Sequence, residues 1–295
     1  MSFVVTVAQG LLRRWARLAA IGILASFFQS SAQADDGEIV LGLIPALSPE
    51  VMVRRYQPLA LHLSDEIGIP VRLEGAPDYE AFMNRVLEGS SYDMIITGGD
   101  FYRLAERRAG FHAIARVDGP GAQALIIAAK DDKFTSLDDL PQEVRIASVG
   151  EFSLMHRLGN RTLRENGIVI GENASLVPTP SLNSAMLSVL SNQADIAIIA
   201  APFFKRVESS IRDRIAILER SVLAPHHPVS LSPDVPEDIA IRLTEVLLAL
   251  QDTPEGQSAL EAMSFPGFVV PEPGLYDVLD WAADDIESLL GLESN

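Results

Sequence analysis

The sequence runs to 295 residues, contains no cysteine and carries a formal charge of −17. So acidic a chain repels nucleic acid and anionic membranes, and without thiols it has no disulfide, no thiolate nucleophile and no cysteine-bound metal. The length suits one large domain or two of average size.

In chain order, residues 1–34 read as an export signal. Arg13, Arg14 and Arg17 precede an apolar run from Leu18 to Phe28, and Ala32-Gln33-Ala34 forms a small-residue cleavage site followed by Asp35-Asp36. The run is shorter than the ~20 apolar residues a spanning helix needs. Cleavage leaves 20 basic against 40 acidic side chains and no cysteine for a lipid anchor. The expectation is an exported, periplasmic chain with no direct membrane insertion after signal cleavage.

From Ile39 onward strand-like and helix-like segments alternate, which predicts an α/β fold with largely parallel strands. "IVLGLI" begins as a buried strand, breaks at Pro45, and Ser48-Pro49-Glu50 opens a helix to about Glu66 whose inward positions include Val53, Tyr56, Ala60, Leu63 and Ile67. A short strand follows at Val71 to Leu73. A helix from Asp78 to Glu88 then places Tyr79, Phe82, Met83, Val86 and Leu87 on one face. Met94 to Thr97 is a buried strand. About a hundred residues later the unit returns: "YEAFMNRVLEGSSYDMIIT" and "LNSAMLSVLSNQADIAIIA" both read helix, polar turn, aspartate, strand. This repeat points to two similar lobes.

The expected lobe boundary falls at Asp118-Gly119-Pro120-Gly121, between strands Phe111 to Val117 and Ala124 to Ala129. A second break is the proline-rich Ala224 to Pro236. Helices are predicted at Pro236 to Leu250, Pro254 to Met263 and Gly274 to Leu290. They have no strands of their own, so the chain is expected to return to lobe one. The predicted division is residues 1–34 signal, 35–118 first part of lobe one, 119–223 lobe two, and 224–295 the return to lobe one, with two connections between the lobes.

In open α/β sheets ligands sit beyond the carboxyl ends of strands, where helix N-termini present free N–H groups. Four such junctions supply the candidate ligand-binding residues. Lobe one offers Ser48 and the run Thr97, Gly98, Gly99 and Tyr102; lobe two offers Glu151 and Ser153, then Ser181 and Asn183. Each serine has a plain alternative as a helix cap, Gly98-Gly99 as a turn, and Tyr102 as core. His156, Arg157, Arg161 and Arg164 read as a solvated helix face, and most acidic residues as surface. His226-His227 has no ligand spacing around it, so no metal is expected. No cofactor motif and no nucleophile–histidine–acid arrangement is present, so an enzyme is not expected.

The stretch from Leu41 to Tyr102 resembles the phosphonate-binding-protein-like family, periplasmic solute-binding proteins of ABC transporters. The features that carry it are a strand followed by Pro45 and Ser48-Pro49, Tyr56-Gln57-Pro58-Leu59, Asp78-Tyr79, Gly89, and Asp93 before a strand ending in glycines with Tyr102 behind. It continues through Leu137-Leu140, the repeat and "LQDTPEGQSALEAM". The resemblance implies a type II periplasmic-binding-protein fold: two α/β lobes, each a mixed sheet flanked by helices, closing over a small-molecule ligand in the cleft between them. It implies Ser48, Tyr102 and Ser153 as contacts. The family's Ser-Thr-Ser-Gly-like run is here Glu151-Phe152-Ser153-Leu154-Met155, and Glu151 would repel a phosphonate. The expected function is capture of a small anionic or polar solute for an ABC-type permease. The alternative is a periplasmic sensory or accessory role with a signalling or redox partner.

Overall fold

The computed structural model describes residues 37–89, 91–130 and 134–292; the predicted signal lies outside them. Two sheets form the frame. The first takes β1 (Ile39–Leu43), β2 (Val71–Gly75), β3 (Met94–Ile96), β4 (His112–Val117), β10 (Pro228–Leu231) and β11 (Phe268–Val269), in the order β11-β4-β10-β3-β1-β2. The second takes β5 (Ala124–Ala129), β6 (Val144–Ser148), β7 (Ala174–Pro178), β8 (Ile196–Ala200) and β9 (Ile215–Arg220), in the order β7-β6-β8-β5-β9.

The two sheets follow one plan. In lobe one, β1 is parallel to β2 and β3, while β10 runs antiparallel to β3 and β4. In lobe two, β6 is parallel to β7 and β8, while β5 runs antiparallel to β8 and β9. The antiparallel strand of each sheet has just arrived from the other lobe. Strand side chains alternate between faces. Ile196 and Ile198 of β8 enter one core and Ala197 and Ile199 the other; Met94 and Ile96 of β3 likewise part from Ile95.

Helices cover both faces. In lobe one, α1 (Pro49–Ile67), α8 (Glu237–Leu248) and α9 (Pro254–Met263) share one core, and α2 (Tyr79–Glu88), α3 (Gly99–Ala109) and α10 (Asp280–Leu289) the other. In lobe two, α5 (Leu182–Leu190) and α6 (Ala201–Arg206) lie on one face and α4 (Leu154–Glu165) on the opposite one; a short α7 (Ser209–Arg212) precedes β9. Each large aliphatic buried in these cores contributes roughly 1.5–3 kcal/mol.

Several expectations change. Val53 is exposed, and α1 instead buries Met52, Tyr56, Leu59, Ala60, Leu63 and Ile67, a face rotated slightly from the predicted one. The proline-rich break contains β10, at the centre of the lobe-one sheet; Pro228 is tolerated because it stands first in the strand. The last predicted helix begins later: Asp277–Leu279 is a 3-10 turn and α10 starts at Asp280. That helix sits at the seam. On one side Arg103 bonds Asp280 (2.6 Å) and Asp277 (3.0 Å), Arg107 bonds Asp284 (2.7 Å), and Arg108 pairs with Glu287. On the other, the Arg161 guanidinium of α4 lies 4.5 Å from the Trp281 ring centroid.

The chain crosses between sheets twice, at residues 118–123 and 221–227. Ala122 and Ala224 exchange both backbone hydrogen bonds at 2.8 Å, so the crossovers form a short ribbon. Gly121 permits this contact: its φ is +91°, and a Cβ there would stand 2.1 Å from the Ala224 carbonyl oxygen. The Tyr276 hydroxyl donates to the His226 carbonyl at 2.7 Å, fastening the C-terminal segment to the same ribbon.

Candidate functional site

Because the parallel strands of each sheet end on the same side, the helices that follow them start along one edge of that sheet; the starts of α2 and α3 meet that of α4 across the lobes, through Tyr79–Phe152 and Asp100–Arg157. α1 and α4 are counterparts, each following the strand flanked by two parallel neighbours. Their N-caps, Ser48 and Ser153, are both extended, and neither side chain makes a capping hydrogen bond. α2 and α5 are the next pair, and there the caps are engaged. Asp78 accepts from the Ala81 N–H at 2.7 Å, and Ser181 from the Ser184 N–H at 3.1 Å. Capping thus accounts for Ser181 and leaves the hydroxyls of Ser48 and Ser153 uncommitted.

The other sequence-derived candidates scatter. Thr97 is buried and donates to the Gly98 carbonyl at 3.0 Å. Gly98 caps α3, and its missing Cβ is where the Asp100 carboxylate lies. Gly99 serves packing: a Cβ would come within 2.9 Å of Leu279 and the Tyr276 ring. Tyr102 is buried, stacked edge-on against Tyr276 at 4.8 Å, donating to Glu106 (2.7 Å) and accepting from the Ala113 N–H (3.1 Å). Burial and the Glu106 bond push its phenol well above the usual range. Glu151 is exposed, and its backbone carbonyl accepts from Arg157 at 2.7 Å. Asn183 is exposed. Ser48 and Ser153 are therefore the helix-cap serines whose hydroxyls remain free, alongside the exposed side chains of Glu151 and Asn183.

The centre of the interface lies where the sequence predicted a solvated helix face. His156 and Arg157 are each only 4% exposed. The His156 Nδ1 lies 3.1 Å from the Ser148 Oγ, and burial holds its pKa below the ordinary value, with Glu151 opposing in part. Arg157, in the first turn of α4, crosses to lobe one and pairs with Asp100, itself 1% exposed, in the first turn of α3. Asp100 also accepts from the Phe101 N–H at 3.0 Å. Burial lowers the Arg157 pKa to about 10, so it stays charged at neutral pH. Its Nε is buried without a partner, as is the Asn160 Oδ1 on the next turn.

An aromatic seam runs alongside. Tyr79 of lobe one stacks on Phe152 of lobe two (4.9 Å, 10°) and on Phe101 (5.6 Å, 26°), and Arg157 lies 5.8 Å from the Phe101 centroid. The lobes therefore meet through an ion pair and two stacked rings. Two cavities lie elsewhere: one of about 270 Å3 at the crossovers, bounded by Arg116, Gly121, Ala224 and His226, and one of about 250 Å3 between α3 and the segment preceding α10. Among the described residues, no group of three or more histidines and carboxylates is placed to hold a metal ion, and no helix is long and apolar enough to cross a membrane.

Paired sheets of this order, exchanging one strand each across a double crossover and opposing their helix N-termini, define the two-lobe periplasmic binding-protein fold. A family model described as the periplasmic substrate-binding protein of a phosphonate ABC transporter matches residues 41–276, and the chain belongs to this family. It is a family of transport proteins rather than an enzyme class, and it places the chain in the periplasm. Solved structures agree on the fold. XAC2383 from Xanthomonas citri, bound to ATP, is 18% identical with a TM-score of 0.72, the match covering 86% of this chain and 99% of that one. PhnD1 from Prochlorococcus marinus, in complex with methylphosphonate, is 16% identical with a TM-score of 0.69, covering 85% and 99%. The aliphatic sulphonate binding protein SsuA from Escherichia coli is 14% identical with a TM-score of 0.57, covering 87% and 94%. No curated protein sequence matches the chain.

Proposed function

We propose that this substrate-binding protein captures a small polar solute bearing an anionic group between its lobes and presents it to a membrane permease. On this reading the leader is cleaved after Ala34, residues 35–118 and 224–295 act as lobe one, and 119–223 act as lobe two. Arg157 carries the reading. It is a charged guanidinium, almost wholly buried at the lobe interface, with an unpartnered Nε. A buried cation demands an anion; within the chain Asp100 answers it, which marks the seat as one that takes an oxyanion. The N-termini of α1 and α4 and the free hydroxyls of Ser48 and Ser153 stand at the same ends and favour negative charge. Phosphonate and sulphonate binding by structural neighbours supports an oxyanion, and Phe152 and Tyr79 suit an apolar tail. A transport family favours delivery to a permease over the sensing alternative.

The test is a thermal-shift screen of phosphonates, sulphonates, phosphate and carboxylates, followed by calorimetry. A ligand at a hundred times its dissociation constant adds about 2.7 kcal/mol of stability. Ser153→Ala and Arg157→Gln are expected to weaken the hit. A screen in which only cations or neutral molecules shift the melting point sinks the anion reading.

A further inference from the structure

The buried pair at the centre of the cleft has a property that binding alone does not require. Asp100 and Arg157 come from different lobes, and both are almost fully covered. The groups that face Arg157 are the Asp100 carboxylate, the Glu151 carbonyl, the Phe101 ring and, at longer range, Asp285 and Tyr79. Of these, Asp100 is the one in direct ionic contact with Arg157. Its carboxylate also sits at the N-terminus of α3, taking the Phe101 N–H. A guanidinium together with a helix N-terminus is what an incoming oxyanion would use.

We propose that Asp100 is a resident anion in the solute's seat: it holds the lobes together when the cleft is empty, and a solute's anionic group must displace it from Arg157. The proposal rests on the anion reading above and adds the residue that sets its threshold. An intramolecular carboxylate competes at high effective concentration, so a simple monoanion replaces like with like and gains little. A productive solute must recover the difference elsewhere, from Ser48, Ser153 and the Tyr79–Phe152 stack. Closure without ligand follows from the same pair, because separating the lobes breaks it, and Arg157 without Asp100 would be a buried charge with no ionic partner.

The experiment uses Asp100→Asn and the double variant Asp100→Asn/Arg157→Gln, with acetate and methylphosphonate as probes. Asp100→Asn is expected to bind a probe about tenfold or more tightly than the wild type, since the competitor is gone. Its ligand-free scattering profile is expected to show a larger radius of gyration, contracting on addition of the probe. The double variant, which keeps a neutral hydrogen-bonding pair and guards against simple misfolding, is expected to lose the gain. Equal probe affinity in wild type and Asp100→Asn overturns the proposal alone, as does an empty Asp100→Asn protein as compact as the wild type. Silence from both probes in every protein, alongside silence in the wider screen, overturns the anion reading with it.

Discussion

The two lobes are built alike down to one repeated aspartate, yet they use it with unequal force. In lobe one Asp93 takes the Val40 N–H at 2.7 Å and returns its own N–H to the Val40 carbonyl, locking β3 beside β1. In lobe two Asp195 does the same to Arg145, locking β8 beside β6, and additionally holds the Arg145 guanidinium through Nε (3.1 Å) and Nη2 (2.9 Å). Fold symmetry sets the backbone clamp; the local side chain decides how much more it carries. The same holds at the lobe ends, where matched helices offer free serines in one pair and engaged caps in the other.

The largest expected effect sharpens this contrast directly. Asp195→Ala removes a buried acceptor of several bonds and is expected to cost about 2–4 kcal/mol in urea unfolding. Asp93→Ala, with a single side-chain bond to the backbone and more exposure, is expected to cost about 1–2 kcal/mol. Equal losses would mean that the Arg145 contacts add nothing.

A second prediction concerns pH, at the end of the second crossover, just before β10. Burial, then His226 and then Arg55, depress the His227 pKa to about 4. A histidine held below its unfolded value of about 6.5 stabilises the fold above that pH, and the contribution is lost as pH falls toward 4. His227 is half-buried as a residue, and with that solvent screening the loss is roughly 2 kcal/mol. His227→Gln should flatten the stability profile between those limits; an unchanged slope removes His227 as its source.

The smallest effect separates the two kinds of serine. Ser181→Ala is expected to lower stability by about 1 kcal/mol and leave ligand affinity alone, whereas Ser153→Ala should leave stability nearly unchanged and weaken binding. Reversed outcomes would exchange their roles.

How much of this was legible beforehand differs between frame and site. The alternation of elements and the repeat ending in Asp93 and Asp195 are patterns of local spacing, and they gave both halves of the frame. β10 was hidden because four residues opening with Pro228 carry too little periodicity to stand out from a loop. Arg157 shares its helix with Arg161 and Arg164, which do look like a solvated face; its burial depends on Asp100 and Phe101 of the other lobe, remote in sequence. One signal was present: a cation in the first turn of a helix opposes the dipole, which hints at an anion supplied from elsewhere. Its partner Asp100, behind Gly98-Gly99, has no motif of its own in the sequence, whereas Tyr102 does stand where a ligand contact is expected. Tyr102 lines the right helix, but its hydroxyl is spent within lobe one.

The placement of Trp281 gives the molecule a built-in optical gauge. The chain's other tryptophan, Trp15, falls in the predicted leader. The indole at 281 rides on a helix ion-paired to lobe one while a guanidinium of lobe two covers its face. Any swing of the halves that shifts Arg161 from this indole changes the polarity around a single chromophore. Emission from the unlabelled protein should therefore follow the motion in real time.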